Sequence, residues 1–433
     1  MTETQAPDEV RELARRAFDE AGDGVGGIGS IHQAVAGRVF RAVGPWGRPV
    51  EVAHQAVTNS VYAGMRGASS LLGRAADVAL AQRERPAVRE LSTRPAGAAV
   101  VGILDGLIGD RLEREGSALQ EPMAVRVDGR VVELTRDGVA AAFPGARGRI
   151  VVFLHGLMES EYSWRRGADR GVESYATRLA RDLGCTPVFV RYNTGRHISE
   201  NGASLDALLE SLAAAWPVKL REIALVGHSM GGLVVRSAGC RADERDARWV
   251  RAVRHVVSLG SPHMGAPLAQ AVHWASAGLH ALPETRPFAA FLRRRSAGIR
   301  DLRSGSLVDE DWRDRDPDAL RAAASAEIPL LAGVTHCFVA ATITRDARHP
   351  LGRMIGDTLV LQPSASGRSR TRRLAFRAEH GMHVGGAHHL MLLNHPEIYE
   401  KLRLWLSTPP DTVTRPRRLP APRGRRALPR GSA

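Results

Sequence analysis

The stretch EIALVGHSMGGLVVRSAG, Glu222–Gly239, decides how the rest of the chain is read. Four apolar residues, Ile223 to Val226, run into Gly227-His228-Ser229-Met230-Gly231, and a helix-forming run leaves from Gly232. A G-x-S-x-G pattern carries little weight by itself in a chain with 44 glycines. Its weight comes from the strand before it and the helix after it, the setting in which a sharp turn lifts a serine hydroxyl above the end of a sheet. Ser229 is therefore the candidate nucleophile. Gly227 and Gly231 are small where the neighbouring chain must pass close. The N–H of Met230, directly after the serine, is the first candidate oxyanion donor. His228, on the other side, is a candidate substrate contact.

A serine hydroxyl needs a base to take its proton, and the oxyanion that forms needs preorganised donors. Upstream, RIVVFLHGLMESEYSW (Arg149–Trp164) ends an apolar strand in His155-Gly156. The flexible glycine lets the N–H of Leu157 turn toward a reacting carbonyl, so Leu157 is the second candidate donor. His155 and Gly156 are expected to shape that loop and border the substrate.

From about residue 95 short apolar strands alternate with helices. Strands are read at MAVRV, RVVEL, RIVVFL, PVFVRY, EIALVG, RHVVSLG, HCFVAATIT and RRLAFRA, with helices such as YATRLARDLG and SLDALLESLAAAW between them. Buried strands alternating with helices predict a mostly parallel sheet covered on both faces. Eight strands with a DG turn between the first two predict an α/β-hydrolase fold over residues 95–407. Residues 266–330 are read as an inserted helical cap, with Trp274, Leu279, Phe288, Phe291 and Leu292 over an apolar acyl pocket. Residues 1–94 are expected to be a helical extension, and 408–433 a disordered Pro/Arg-rich tail.

On this fold the acid and the histidine follow the serine in that order. Two acids come after the seventh strand. Asp346 lies in ITRDARHP; Asp357 lies in IGDTLVLQPSASG, an apolar setting where a carboxylate is costly without a partner. Asp357 is preferred. The histidine belongs between the eighth strand and the last helix, where HGMHVGGAHHLMLLNH (His380–His395) holds five. That stretch reads as a glycine-rich loop without an H-E-x-x-H helix face, so no metal is expected. His388 and His389 stand where the base belongs; His380, His383 and His395 are read as loop or cap residues. His263, after the sixth strand in GSPHMGAP, is a candidate for positioning substrate.

FLHGL, LVGHSMGG, LGSPHMGAPLA, RSAGIRDL and GDTLVLQPSASG together resemble the esterase/lipase branch of the α/β-hydrolase superfamily. They are similar to bacterial triacylglycerol lipases and to lipase-like proteins related to GPI inositol-deacylase. The resemblance spans roughly residues 95–407. It implies an acid in a GDGLV-type turn, matched by Asp357 with Thr358 in place of the second glycine. It also implies a leucine four residues and a proline seven residues after the base, matched by His389 with Leu393 and Pro396. The implied activity is hydrolysis of carboxylic esters, lipid-like acyl esters among them, through Ser229, His389 and Asp357 without a cofactor. Acyl transfer or thioester hydrolysis on the same residues, or a non-catalytic lipid-binding or scaffold role, are the alternatives. The segment RYNTGRHISENG (Arg191–Gly202) also resembles bacterial esterase/lipase-like proteins, with no mechanism attached.

Bulk properties set the remaining expectations. The formal net charge is +14, but only Lys219 and Lys401 are lysines among the 60 basic residues, and seven arginines sit in the tail. No aromatic-rich basic stripe accompanies them, so nucleic acid is not expected as a partner. A small-molecule or lipid ester is. Contact with a membrane surface, through the N-terminal helices or the basic tail, is a further expectation. The scattered Cys185, Cys240 and Cys337 suggest neither a zinc ribbon nor a disulfide framework. An acidic, polar N-terminus without an apolar signal core makes the cytosol the default location.

Overall fold

The computed structural model describes residues 92–117, 119–120, 122–266, 296–316, 326–369 and 371–409. Helix α1 (Pro95–Arg114) precedes an antiparallel hairpin, β1 (Ala124–Val127) and β2 (Arg130–Val131). After α2 (Arg136–Ala142) come β3 (Arg149–Leu154), α3 (Tyr175–Leu183), β4 (Thr186–Arg191), α4 (Ile198–Ala215), β5 (Glu222–His228), α5 (Met230–Glu244) and β6 (Val253–Leu259). The chain closes through α6 (Ala297–Leu302), β7 (Thr335–Thr342), α7 (Pro350–Ile355), α8 (Gln362–Ala365), β8 (Gly381–Gly385) and α9 (Pro396–Ser407).

These strands form one eight-stranded sheet in the order β2-β1-β4-β3-β5-β6-β7-β8. From β4 to β8 every pairing is parallel, and β1 joins β4 antiparallel. The two-residue period of a strand divides each central strand between two cores. Ile150, Val152 and Leu154 of β3 and Ile223 and Leu225 of β5 face α4 and α5, where they pack with Leu205, Leu209, Leu233 and Val234. Val151, Phe153, Ala224 and Val226 face α3 and α9, against Tyr175, Leu179, Ile398, Leu402 and Trp405. The sheet is thus sandwiched by helices, with β3 and β5 at its centre. This is the α/β-hydrolase fold.

Helix ends follow local chemistry. Ser174 caps α3 by accepting the Thr177 N–H, and Gly184 ends it in the left-handed conformation. Pro396 starts α9 at the first-turn position expected from sequence, where a missing N–H costs nothing.

One strand lies elsewhere than expected. RRLAFRA is not the eighth strand: its only pairing is an isolated bridge between Arg368 and Arg373. The eighth strand is the glycine-rich GMHVG, paired in parallel with β7 from Phe338 opposite Gly381 to Thr342 opposite Gly385. The Phe338 ring occupies the space a Gly381 side chain would need, and Arg345 O that of Gly385. Close packing against β7 selects glycines here over the more strand-like alternation upstream. His383 accordingly lies in a strand, not in a loop.

Of the expected helical extension (1–94), cap (266–330, with Trp274, Leu279, Phe288, Phe291 and Leu292) and tail (408–433), residues 1–91, 267–295, 317–325 and 410–433 lie outside the described residues. No described helix is long and apolar enough to cross a membrane.

Candidate active site

Ser229 stands between the end of β5 and the start of α5, partly exposed, with φ 51° and ψ −120°. L-residues reach such backbone only at a cost of about 1–3 kcal/mol, and surrounding packing must hold them there. Three glycines allow that packing. A side chain on Gly227 would strike the Gly232 backbone, one on Gly231 would come 2.6 Å from Leu154 O and 2.7 Å from His155 O, and one on Gly232 would strike Ser261 Oγ. Ser229 N–H donates to Leu259 O at 2.8 Å, which ties the turn to β6.

The candidate acid and base stand on the loops after β7 and β8. The turn around Asp357 closes by a hydrogen bond from Asp357 N to Val360 O, with Gly356 at φ 64° and Thr358 at φ 90°. Thr358 therefore occupies a conformation that glycine takes freely, which accounts for the glycine of the related motif. Asp357 is 1% exposed. Its Oδ1 accepts the N–H groups of Leu359 (3.1 Å) and Val360 (2.8 Å), and its Oδ2 lies 2.7 Å from His389 Nδ1. The His389 N–H in turn donates to Asp357 O at 2.8 Å. Backbone and side chain of one residue thus hold backbone and side chain of the other.

His389 is buried, 2% exposed. Burial alone lowers the imidazole pKa, but the Asp357 charge and hydrogen bond, with Glu159 behind them, raise it above its ordinary value. The ring lies against Gly260, the residue after the carbonyl that holds Ser229 N–H; a side chain on Gly260 would come 3.1 Å from His389 Cε1. With Nδ1 fixed on Asp357, Nε2 is buried without any hydrogen-bond partner, Ser229 Oγ included. Such contacts are often loose before substrate binds.

The remaining histidines and the rival acid are elsewhere engaged. Asp346 is exposed, and its Oδ1 accepts the Arg348 N–H. His388 precedes the 3-10 turn His389–Leu393 without a side-chain hydrogen bond to it, its pKa lowered first by burial and then by Arg166 and His389. His383 Nε2 meets Thr342 Oγ1 at 2.9 Å, and His395 leads into α9. No group of three or more His, Cys, Asp or Glu among the described residues is placed to hold a metal.

The loop after β3 faces Ser229. A side chain on Gly156 would come 3.0 Å from Ser229 Cβ, which is why glycine stands there. The N–H of Gly156 donates to Glu159 Oε2 (2.8 Å) and that of Met158 to Thr194 Oγ1 (3.2 Å). Leu157 N–H lies between these two committed groups. Met230 N–H is the first of α5 and has no acceptor within the helix.

His155 and His263 sit differently from expectation. His155 is fully buried behind the loop, with Nδ1 3.0 Å from Gly156 O and Nε2 3.3 Å from Tyr192 N, its ring stacked on Tyr192. Both nitrogens are used on backbone, so it shapes the loop without bordering an open surface. His263 is likewise fully buried, between Arg236 and Phe376, and burial holds its pKa well below the ordinary value. Its ring lies under the loop after β6, not at a mouth. His228 is 0% exposed and reaches Glu159 with Nδ1 at 3.1 Å.

Sequence reasoning missed the support for this loop. Gly102 and Gly106 of α1 lie against Glu159 O and the Met158 side chain, and Gly109 against Asn193. Their spacing puts all three on one helix face, a signal that was present in the sequence. Arg191–Gly202 now has a mechanism. Asn193 donates to Gly109 O, Thr194 holds Met158, and Gly195 O accepts the Gly298 N–H. Asp301, on α6, accepts the Ile198 N–H at 2.8 Å and lies 3.1 Å from His197 Nδ1. The described end of the inserted region is thereby tied to the loop that flanks Met230; a Gly298 side chain would come 3.2 Å from Met230 Cε.

Residues 145–281 match the family model of the PGAP1-like alpha/beta domain. No curated protein matches the sequence. Among solved structures, a Bacillus licheniformis lipase in mature form is similar at 19% identity over 58% of this chain and 91% of its own, with a TM-score of 0.36. A Pyrobaculum calidifontis esterase is similar at 17% identity over 60% and 76%, with a TM-score of 0.34. A Legionella pneumophila phospholipase is similar at 15% identity over 51% and 46%, with a TM-score of 0.31. Likenesses this distant assign nothing further to this chain. The sheet is that of the α/β-hydrolase fold, and its central part, residues 145–281, is similar to the PGAP1-like alpha/beta domain.

Proposed function

We propose that the protein is a serine hydrolase of carboxylic esters, lipid-like acyl esters among them. The observation that carries this reading is the buried Asp357–His389 pair, which fixes Nδ1 and leaves Nε2 unpartnered beside the strained Ser229 turn. Other buried histidines also leave a ring nitrogen without a partner, His255, His263 and His336 among them, but His389 is the one whose second nitrogen is held by a buried carboxylate, the arrangement that orients a base toward a serine.

Ser229 Oγ attacks the acyl carbonyl carbon while His389 Nε2 takes the hydroxyl proton. The N–H groups of Leu157 and Met230 receive the developing oxyanion. As the tetrahedral species collapses, His389 returns its proton to the departing alcohol oxygen and an acyl-enzyme remains. Water then attacks, again through His389, releasing the acid and free Ser229. Asp357 keeps the imidazole in the tautomer that can accept and stabilises the imidazolium between the two transfers.

The test is hydrolysis of p-nitrophenyl esters across acyl-chain lengths. Turnover that disappears in Ser229→Ala, with the fold retained, is expected. Undiminished turnover in that variant overturns the reading.

A further inference from the structure

We infer that Glu159 and His228 form a second acid–histidine pair that positions the oxyanion loop between Ser229 and the His389 ring. The inference rests on the reading of Ser229 and His389 given above and assigns roles to two residues outside the proposed proton path.

Four groups meet at one point. A side chain on Gly156 would lie 3.0 Å from Ser229 Cβ, 3.1 Å from His228 Nδ1 and 3.3 Å from Glu159 Cδ. Glu159 Oε2 accepts the Gly156 N–H at 2.8 Å and lies 3.1 Å from His228 Nδ1. One carboxylate oxygen therefore pins the residue that precedes the Leu157 donor. On its far side, His228 Nε2 lies 3.3 Å from His389 O, and the two imidazole rings are 4.7 Å apart. Trp164 closes the edge of the His228 ring, which is wholly buried.

The chemistry of the contacts is restrictive. A carboxylate only accepts, so the ring hydrogen that meets Glu159 sits on His228 Nδ1. Glu159 suits such a partner. Burial alone would raise its pKa, but the His228 charge, the His228 hydrogen bond and the Gly156 N–H hold it at about 2. The charged and titratable groups around the base are Asp357, Glu159, His228 and His388; those around Glu159 are His228, His155 and Tyr192. Of these, the two carboxylates both favour a protonated His389. Glu159 thus acts on both halves of the machinery, holding the oxyanion loop by a hydrogen bond and the base by its charge.

Two substitutions separate these effects. Glu159→Gln keeps an oxygen for the Gly156 N–H and removes the charge; Glu159→Ala removes both. The readout is the rate at which a fluorophosphonate probe labels Ser229, followed against pH, with thermal unfolding as the check on folding. The glutamine variant is expected to shift the acid limb of the profile to lower pH, with a plateau within about tenfold of wild type. The alanine variant is expected to lose a further 10-fold or so at the plateau, because a misplaced donor forfeits much of its effect. Should the alanine variant fail to fold, the glutamine profile decides alone. Wild-type rates and an unmoved acid limb in the glutamine variant overturn the inference. An absence of labelling in the wild-type protein overturns the underlying serine-hydrolase reading instead, and the inference with it.

Discussion

Asp357→Asn is the sharpest perturbation of the proposed chemistry, because the turn dictates how the new amide must sit. Two backbone N–H groups, Leu359 and Val360, point at Oδ1 at 3.1 and 2.8 Å. An asparagine keeps those bonds only by placing its carbonyl oxygen there, which turns its NH2 toward His389 Nδ1 across the 2.7 Å contact. A donor at that position forces Nδ1 to accept and moves the ring hydrogen to Nε2. The imidazole is then in the tautomer that cannot take a proton from Ser229. Both side chains are nearly fully buried, so water offers little relief. Loss of the correct tautomer in a serine–histidine–aspartate system costs about 10⁴ in kcat, or roughly 5.5 kcal/mol of barrier. The assay is p-nitrophenyl ester turnover by the purified variant, beside a thermal unfolding curve. The side-chain volume is conserved, so little change in Tm is expected. A folded variant within tenfold of wild-type kcat refutes the assignment of Asp357.

Further outcomes follow from the same geometry. Because His389 is held above its ordinary pKa, kcat/KM is expected to fall on the acid side at a pH above about 6.5, the unperturbed histidine value. A limb well below that contradicts the Asp357 coupling. The same shift bears on stability. A raised folded pKa gives a contribution fully present below the unfolded value and lost as pH rises through the folded one. The Tm difference between wild type and His389→Gln should therefore shrink between acid and alkaline pH. Gly106→Val places branched carbon into the Met158 side chain under the oxyanion loop. It should lower kcat, with a stability loss of about 1–3 kcal/mol by denaturant titration, as overpacking does; unchanged kcat contradicts the role given to α1. In the acid turn, Thr358→Gly meets a φ of 90° and should keep full activity. Gly356→Ala drives a methyl into Val360 O and should abolish most of it. Equal kinetics for these two variants argue against the turn as the device that sets Asp357.

The elbow was legible because its requirements are local. A strand, a tight turn and a helix in succession leave few alternatives, and the glycines at 227, 231 and 232 are each explained by a specific close contact. The preference for Asp357 over Asp346 rested on an apolar neighbourhood that demands a partner for a carboxylate, and Asp357 is buried against His389 where Asp346 is exposed. The eighth strand was not legible. RRLAFRA has the strand-like alternation, but pairing along β7 rewards small residues beside Phe338 and Arg345, and only the folded sheet shows that. His263 was misplaced because a loop position in sequence says nothing about what is folded over it. Glu159 escaped notice because its partner His228 is brought to it by the β3–β5 pairing and not by sequence spacing.

Ser229 as the nucleophile that His389 activates is the central claim. Mass-spectrometric mapping of a fluorophosphonate adduct tests this without knowledge of the natural ester. A single adduct on the peptide carrying Ser229, abolished in Ser229→Ala and slowed by orders of magnitude in a folded His389→Ala variant, is the outcome expected. An adduct on another residue, or undiminished labelling without His389, contradicts it.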